Sequence, residues 1–443
     1  MNSLKTSYLS AQKKWLCVIL LLLLALPFLL PGQDQINPAI FNGKIVKDIF
    51  IIGNKQTRPE VILREMQIKE GQVFQDSLLI RSKQRLENLW LFNRVELLPY
   101  SNSDSVSIIV SVTERWYLFP YPIFYIVDRD WNKITYGFGF AHLNFRGWNE
   151  KLQASIHFGN RPGIKFVYEN PWVGENLHLY TRAYFRTFRM DNYKYDFPEY
   201  HTLGVIHLGK YWNRDFSTIL ILSRDQIRVD QENVRYMESG KKQDVNYGIR
   251  LINTFDYRDL YAYPSKGWFL RLGIYKMGLF LPGIDYTQYL FDFRKYFSFK
   301  KFILAGRIYT LQSYGNAPVY DQVFLGFEER IRGHFNETYN GRYAMVMGLA
   351  LRHPLIPLRY FSYKSRWLPE FFTKDLKFGL NAGIFIESGQ VWNKHKNFSF
   401  RNQITGYGMG LHFLLPYIEV LRFDYAFNEQ GRGEFIVEAL MPF

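Results

Sequence analysis

Asp256, Arg258 and Asp259 lie within four residues near the middle of the chain. A close pair of carboxylates is what general acid and base catalysis requires. Their setting points elsewhere, because they stand where an alternating apolar run stops, shortly before Pro264 and Gly267. The pattern predicts a salt-bridged turn anchor. The nine histidines are scattered, with no H-E-x-x-H and no repeated short spacing, so no metal site is expected. A hydrolase would need a marked nucleophile or paired acids on its strands, and none is visible. No catalytic residue and no cofactor is therefore expected. Two further charges remain of interest, Arg332 within Ile331-Arg332-Gly333-His334 and Glu387. Arginine and carboxylate form a strong two-pronged pair when they meet. Whether they meet depends on the elements that carry them.

Composition limits those elements. Of 443 residues, 39 are Phe and 32 are Tyr, and aromatics make up 18% of the chain. A membrane-spanning barrel uses such rings, turning an apolar band to lipid and edging it with aromatic girdles. Mean hydropathy is nevertheless −0.20. A bundle of membrane helices would seldom show this, whereas strands hide hydrophobicity by alternating it. The net charge of +15 fits basic rims and lumen, and no lysine-rich run suggests nucleic acid.

Lys5, Lys13 and Lys14 precede an apolar run from Leu16 to Leu30, which reads as a secretory signal peptide over residues 1–32. An uncleaved anchor is the alternative. The single cysteine, Cys17, lies inside that run, so cleavage leaves a chain without cysteine. No later stretch reaches the roughly 18 apolar residues of a membrane helix. Residues 43–115 follow the order strand, helix, helix, strand, strand. Ile45 to Ile52 is rich in β-formers, Pro59 suits the first turn of a helix through Met66, and Asp76 is the expected cap of a second helix bearing Leu79, Leu86 and Leu89. Strands over Val95–Tyr100 and Val106–Glu114 follow.

From residue 116 to 443 about sixteen alternating segments recur, each bounded by Gly, Asn, Asp or Pro. In one, Tyr289, Phe291 and Phe293 oppose Gln288, Asp292 and Arg294; in another, Leu421, Phe423 and Tyr425 oppose Arg422 and Asp424. An even count returns the chain to the side it left. The predicted fold is a transmembrane β-barrel of about 16 antiparallel strands with one N-terminal α+β (βααββ) domain. Two segments stand out. Asn316 to Gly341 is by parity the sixth outward loop, and Ile356 to Lys377 is long for an inward turn, with cations and aromatics such as Arg366 and Trp367 that suit a membrane interface.

Several motifs resemble the BamA/TamA superfamily of outer-membrane assembly and translocation barrels, whose members join POTRA (polypeptide-transport-associated) domains to a sixteen-stranded barrel. Phe324-Leu-Gly-Phe-Glu-Glu-Arg-Ile-Arg-Gly-His-Phe335 resembles its [V/I]-R-G-[F/Y] loop motif, with His334 where an aromatic is usual. Asn144-Phe-Arg-Gly147, Glu169-Asn-Pro171, Asp256-Tyr-Arg258-Asp259 with Pro264 and Gly267, and Glu387-Ser-Gly389-Gln-Val-Trp392 keep the family order. The resemblance implies a POTRA-like domain at 43–115 in the periplasm and a barrel at 116–443 in the outer membrane of a Gram-negative-type bacterium. It also implies that the loop folds into the lumen, where Arg332 pairs with wall acids. Glu387 is the candidate partner, since alternation puts it on the face of Asn381 and opposite Ile384 and Ile386. The family's second acid stands four residues before a proline; here that place is Ala350, so a one-acid clamp is expected, with Glu328 or Glu329 as substitutes. The plainer reading is that Arg332 only fills the lumen.

The resemblance further implies a weak seam between first and last strands. Pro120 and Pro122 are two apart and delete two ladder donors on one side, and the last strand carries Pro442 and the terminal Phe443, an aromatic end typical of such barrels. The alternative reading is that both prolines belong to the linker after the N-terminal domain. The expected function is a non-enzymatic factor that assembles or translocates outer-membrane or secreted client proteins, or moves lipid. Unfolded clients, outer-membrane lipid, and periplasmic chaperones or accessory lipoproteins are the expected partners. The alternative is a passive outer-membrane porin or receptor on the same scaffold.

Overall fold

The computed structural model describes residues 37–102, 104–126, 133–174, 177–192, 195, 197–280, 283–326, 329–335, 337–394 and 398–439. The expected signal peptide, Glu328, Pro442 and Phe443 lie outside the described residues.

The N-terminal unit consists of β1 (Ile45–Ile52), α1 (Pro59–Leu63), α2 (Asp76–Asn88), β2 (Phe92–Asn102) and β3 (Ser105–Glu114). The sheet order is β1-β3-β2, with β1 parallel and β2 antiparallel to β3. Val106, Ile108, Val110 and Val112 recur every second residue along β3 and are buried against Leu79 and Leu86 of α2. Period two in the strand therefore meets the helical stripe across one core. Two boundaries differ from expectation. The cap residue of α2 is Gln75 rather than Asp76, and the Asp76 amide donates instead to Asn42 Oδ1 at 2.8 Å. The first helix stops at Leu63, because Glu65 and Met66 donate three residues back, to Ile62 and Leu63, and tighten the end.

Sixteen antiparallel strands, from Leu118–Ile126 to Gly433–Ala439, form one sheet in chain order. Its polarity is inverted relative to a soluble protein. Ile206, Ile274, Leu349, Ile384, Met409 and Phe435 are all at least half exposed, whereas Asp292, Arg307, Glu387, Arg422 and Asp424 are buried on the other face. A sheet curled with its polar face inward and its apolar face outward suits a lipid surround. No described helix is long and apolar enough to cross a membrane.

One strand overturns the sequence reading. It runs from Tyr343 to Phe361, through Pro354 and Pro357, instead of ending near Pro354. Register shifts between Pro354 and Ile356 and between Ile356 and Arg359 accompany the two prolines, and bulges are where a ladder tolerates a missing donor. The long inward connection is thus shortened to 362–375, with Trp367 at its tip 92% exposed.

The N-terminal unit lies against the turns at one end of the barrel. Arg58 donates its amide to Gly147 O, Arg85 pairs with Asp215 at 2.7 Å, and Asn88 brackets Asp259 O and the Tyr261 amide. On the other side Arg94 and Thr113 hold Asp375, and Arg115 holds Glu419 at 3.0 Å and Tyr417 O at 2.9 Å. Contacts with so many turns place the unit across the barrel mouth.

Candidate functional site

The chain between the strands Phe302–Asn316 and Tyr343–Phe361 turns back into the barrel. A short ladder, Val323–Leu325 against Tyr339–Gly341, closes its base. Leu325 and Ile331 are buried with Val346 of the wall, so an apolar plug seats the segment before any charge is considered. Arg332, only 4% exposed, follows directly. Its Nε donates to Glu387 Oε1 at 2.9 Å, its Nη2 to the same oxygen at 2.5 Å, and its backbone amide to Glu387 Oε2 at 3.0 Å. Its Nη1 donates to Asp424 Oδ2 at 3.0 Å. The guanidinium carbon also lies 3.4 Å from the centroid of the Phe385 ring. A buried cation is tolerable only when its donors are met this fully.

The backbone around Arg332 needs two glycines. A Cβ on Gly406 would stand 1.5 Å from Arg332 O, so the loop touches the wall where the wall has no side chain. Gly333 has φ +98°, and its amide and that of Phe335 both donate to Glu434 Oε1, at 2.7 and 2.9 Å. His334, which replaces the usual aromatic, bridges Glu337 Oε2 at 2.9 Å and Glu429 Oε2 at 2.8 Å. Burial opposes a charge on this ring, but the two carboxylates outweigh it and raise its pKa above the ordinary histidine value. The side-chain bonds from Tyr339 and then His334 lower the pKa of Glu337.

Two expectations are corrected. The clamp has two acids, the second being Asp424 on the strand Glu419–Asn428 rather than a residue of the strand that holds Ala350. Glu329 does not reach Arg332; it pairs with Arg307, which also holds Asp292, and so ties the loop to a second part of the wall. Asp424 was visible in the sequence as an inward acid beside Arg422, but nothing there showed which strands the loop would reach. Glu434 and Gly406 carried no signal beyond parity.

The turn residues stand together and apart from this cluster. Arg258 Nε and Nη2 donate to the two oxygens of Asp256 at 2.8 and 2.7 Å, while Asp259 accepts from the amides of Leu260, Ser265 and Lys266. Gly267 closes the turn at φ +101°. With each carboxylate consumed by local donors, the arrangement is an anchor and offers no free acid or base. It reaches inward through Tyr263, whose hydroxyl lies 3.0 Å from His412 Nδ1, and through Pro264 O, which accepts from the buried Arg352. Among the described residues no His, Cys, Asp and Glu side chains converge as a metal site would need.

Pro120 and Pro122 lie within the first barrel strand rather than in a linker. The Leu143 amide donates to Tyr117 O, which makes 117 and 143 a hydrogen-bonded pair and fixes the parity beyond it. Phe119, Tyr121 and Ile123 then bond toward the second strand, and the intervening residues face away from it. Both prolines therefore remove donors on the side of the last strand. Among the described residues no ladder joins Leu118–Ile126 to Gly433–Ala439. At the domain-side end the start of the first strand meets turns of other strands, where Phe119 meets Tyr417 and Trp116 stacks on Phe371 at 4.7 Å.

The family model for the Omp85 superfamily domain matches residues 144–435, and that for the surface antigen variable number repeat, of the POTRA type, matches residues 44–115. The outer membrane protein assembly factor BamA of Nitratidesulfovibrio vulgaris is 24% identical over 324 residues, 67% of this chain and 38% of that protein. The chloroplastic outer envelope protein 80 of Oryza sativa subsp. japonica is 28% identical over 133 residues, 27% of this chain and 19% of that protein. The chain spans well under half the length of these curated relatives. Among solved structures, CdiB from Escherichia coli aligns at TM-score 0.54 and 12% identity over 90% of this chain and 75% of that one. BamA from Haemophilus ducreyi lacking POTRA domains 1–3 aligns at TM-score 0.50 and 17% identity over 89% and 83%. These two likenesses concern the fold.

Two outcomes follow for the loop. Arg332→Ala strands Glu387 and leaves Asp424 with Arg422 alone among the arginines, a loss of about 3–5 kcal/mol for a broken buried pair, so limited proteolysis should cut between 317 and 342 in the variant and not in the parent. Equal resistance would contradict the clamp. The His334 bridge has the opposite pH sense to a carboxylate. A raised histidine pKa contributes fully below the unfolded value of about 6.5 and is lost as pH rises through the folded value. Protection of the loop should therefore fall as pH is raised above neutrality, and His334→Asn should remove that fall; a pH-independent parent would count against the bridge.

Proposed function

The chain belongs to the Omp85 superfamily, with its barrel in the outer membrane and its POTRA domain in the periplasm, and from this we propose that it assembles or translocates client polypeptides at the seam between its first and last strands. One observation carries the reading. Pro120 and Pro122 remove donors on the seam side of the first strand, and no ladder crosses that seam among the described residues. Unpaired backbone groups facing lipid cost several kcal/mol each, so such a seam is the part of the wall that a client strand can enter by adding its own hydrogen bonds. Elsewhere among the described residues the ladders run strand to strand and leave no comparable opening.

The POTRA sheet supports the same chemistry. The outer edge of β1 is covered by the segment around Gln72 only as far as Ile49, where the amide goes to Glu70; Phe50 and Ile52 are about half exposed beyond it. An extended client segment would find a free edge there. Clients are thus unfolded outer-membrane or secreted proteins. Lipid at the periplasmic boundary meets the exposed Trp367 and Arg366, and chaperones or accessory lipoproteins would act through the POTRA domain. A pinned loop in the lumen and a domain across the mouth both weigh against the passive porin or receptor.

Liposomes containing the protein should fold an unfolded barrel client faster than empty liposomes. Pro120→Thr/Pro122→Thr, which restores two seam donors, should slow that folding severalfold while leaving the protein's own heat-modifiable gel migration unchanged. Client folding that is indifferent to the protein, together with high ion conductance, would restore the porin reading.

A further inference from the structure

The charges on the inward face divide unevenly. On the half that receives the loop, most inward arginines meet acid: Arg294 and Arg307 share Asp292, Arg332 has Glu387 and Asp424, and Arg422 has Asp424 and Glu438, while Arg352 donates to Pro264 O and lies over the Tyr263 ring. The opposite half, from the strand Glu150–Gly159 to the strand Gly267–Leu279, is different. Lys165 stands directly opposite Arg186 in the ladder, and Arg182 is opposite His207, whose other neighbour Ile221 is opposite Arg250. Alternation puts all of them on the inward face, because Ile164, Phe166 and Phe185 between them are exposed outward.

Among the described residues no carboxylate lies within 4.0 Å of Lys165, Arg186 or Arg250, and Arg182 meets only Glu169, at 3.9 Å. Glu169 is engaged more closely by Lys151, at 2.8 Å. Like charges directly opposite each other destabilise a sheet, which is the situation of Lys165 and Arg186, whereas Arg182 has Glu169 opposite it on one side and His207 on the other. Tyr184 lies between Arg182 and Arg186 on the same face, with Arg182 over its ring at 6.0 Å. Two arginine forks and one lysine, interleaved with a phenol, match the donor requirements of a phosphate-type oxyanion, which accepts paired N–H groups from planar guanidinium.

We propose that this wall holds a binding site for a multivalent oxyanion of the phosphate class, centred on Lys165, Arg182 and Arg186 with Arg250 at its flank. The site opens to the lumen and not to the lipid face, so its ligand arrives in solution. It is independent of the seam and of the Arg332 clamp.

The test follows the temperature at which the full chain in detergent micelles loses its heat-modifiable gel migration, in sodium pyrophosphate and in sodium chloride of equal ionic strength. A ligand that binds only the folded chain raises that temperature. Pyrophosphate should raise it by several degrees in the parent. Lys165→Gln/Arg186→Gln should be more heat-resistant than the parent in chloride, because repulsion is relieved, and should lose the pyrophosphate gain. Should that pair fail to fold, Arg182→Gln/Arg250→Gln reads the same loss of gain. The proposal is overturned by no gain in the parent, by an equal gain in a folded variant, or by a gain with triglutamate and none with pyrophosphate.

Discussion

A guanidinium held away from water must be met on nearly every donor, and the burial of Arg332 imposes this on the barrel. Glu387 and Asp424 have to project inward from strands two apart, and on the strand between them Gly406, opposite Glu387 in the ladder, is the bare surface on which the loop backbone rests. The apolar seat of Leu325 and Ile331 and the tie from Glu329 to Arg307 then have a fixed frame to close on. Pairing of this kind contributes position more than stability, since the cost of dehydrating the charges offsets much of their attraction. What it secures is one place for the loop.

That fixed half of the wall contrasts with the seam. The clamp binds the thirteenth and fifteenth strands, and Glu434 of the last strand holds the loop backbone as well. The last strand is therefore secured from within the lumen and from its neighbour, while its other edge meets a first strand lacking two donors. The base of that first strand is held separately, through Arg115 on Glu419 and Trp116 on Phe371. An opening at the seam could thus leave both strands attached to the body of the protein. The POTRA domain, pinned to several periplasmic turns, is placed to feel such a movement.

Much of this could be read from the residues. Alternation marked the sixteen strands, because lipid outside and a polar lumen inside leave a period-two record in each segment. The pairing of Arg332 with Glu387 followed from family resemblance and strand parity. Asp424 reads from the sequence only as an inward acid, because a contact between a loop and a strand some ninety residues on depends on barrel closure, which no local pattern records. Pro354 misled because a proline ordinarily ends pairing, whereas bulges admit it here. The covered part of the β1 edge and the docking of the POTRA domain rest on long-range contacts of ordinary polar residues and had no signature at all.

The dependence of the loop on its clamp is tested most directly by a double-mutant cycle on Arg332→Gln and Glu387→Gln, read as protease resistance of the loop and as client folding rate. If the two groups act as one buried pair, each single variant strands a charge, and the double variant is no worse than either. Losses that simply add in the double variant would contradict the account.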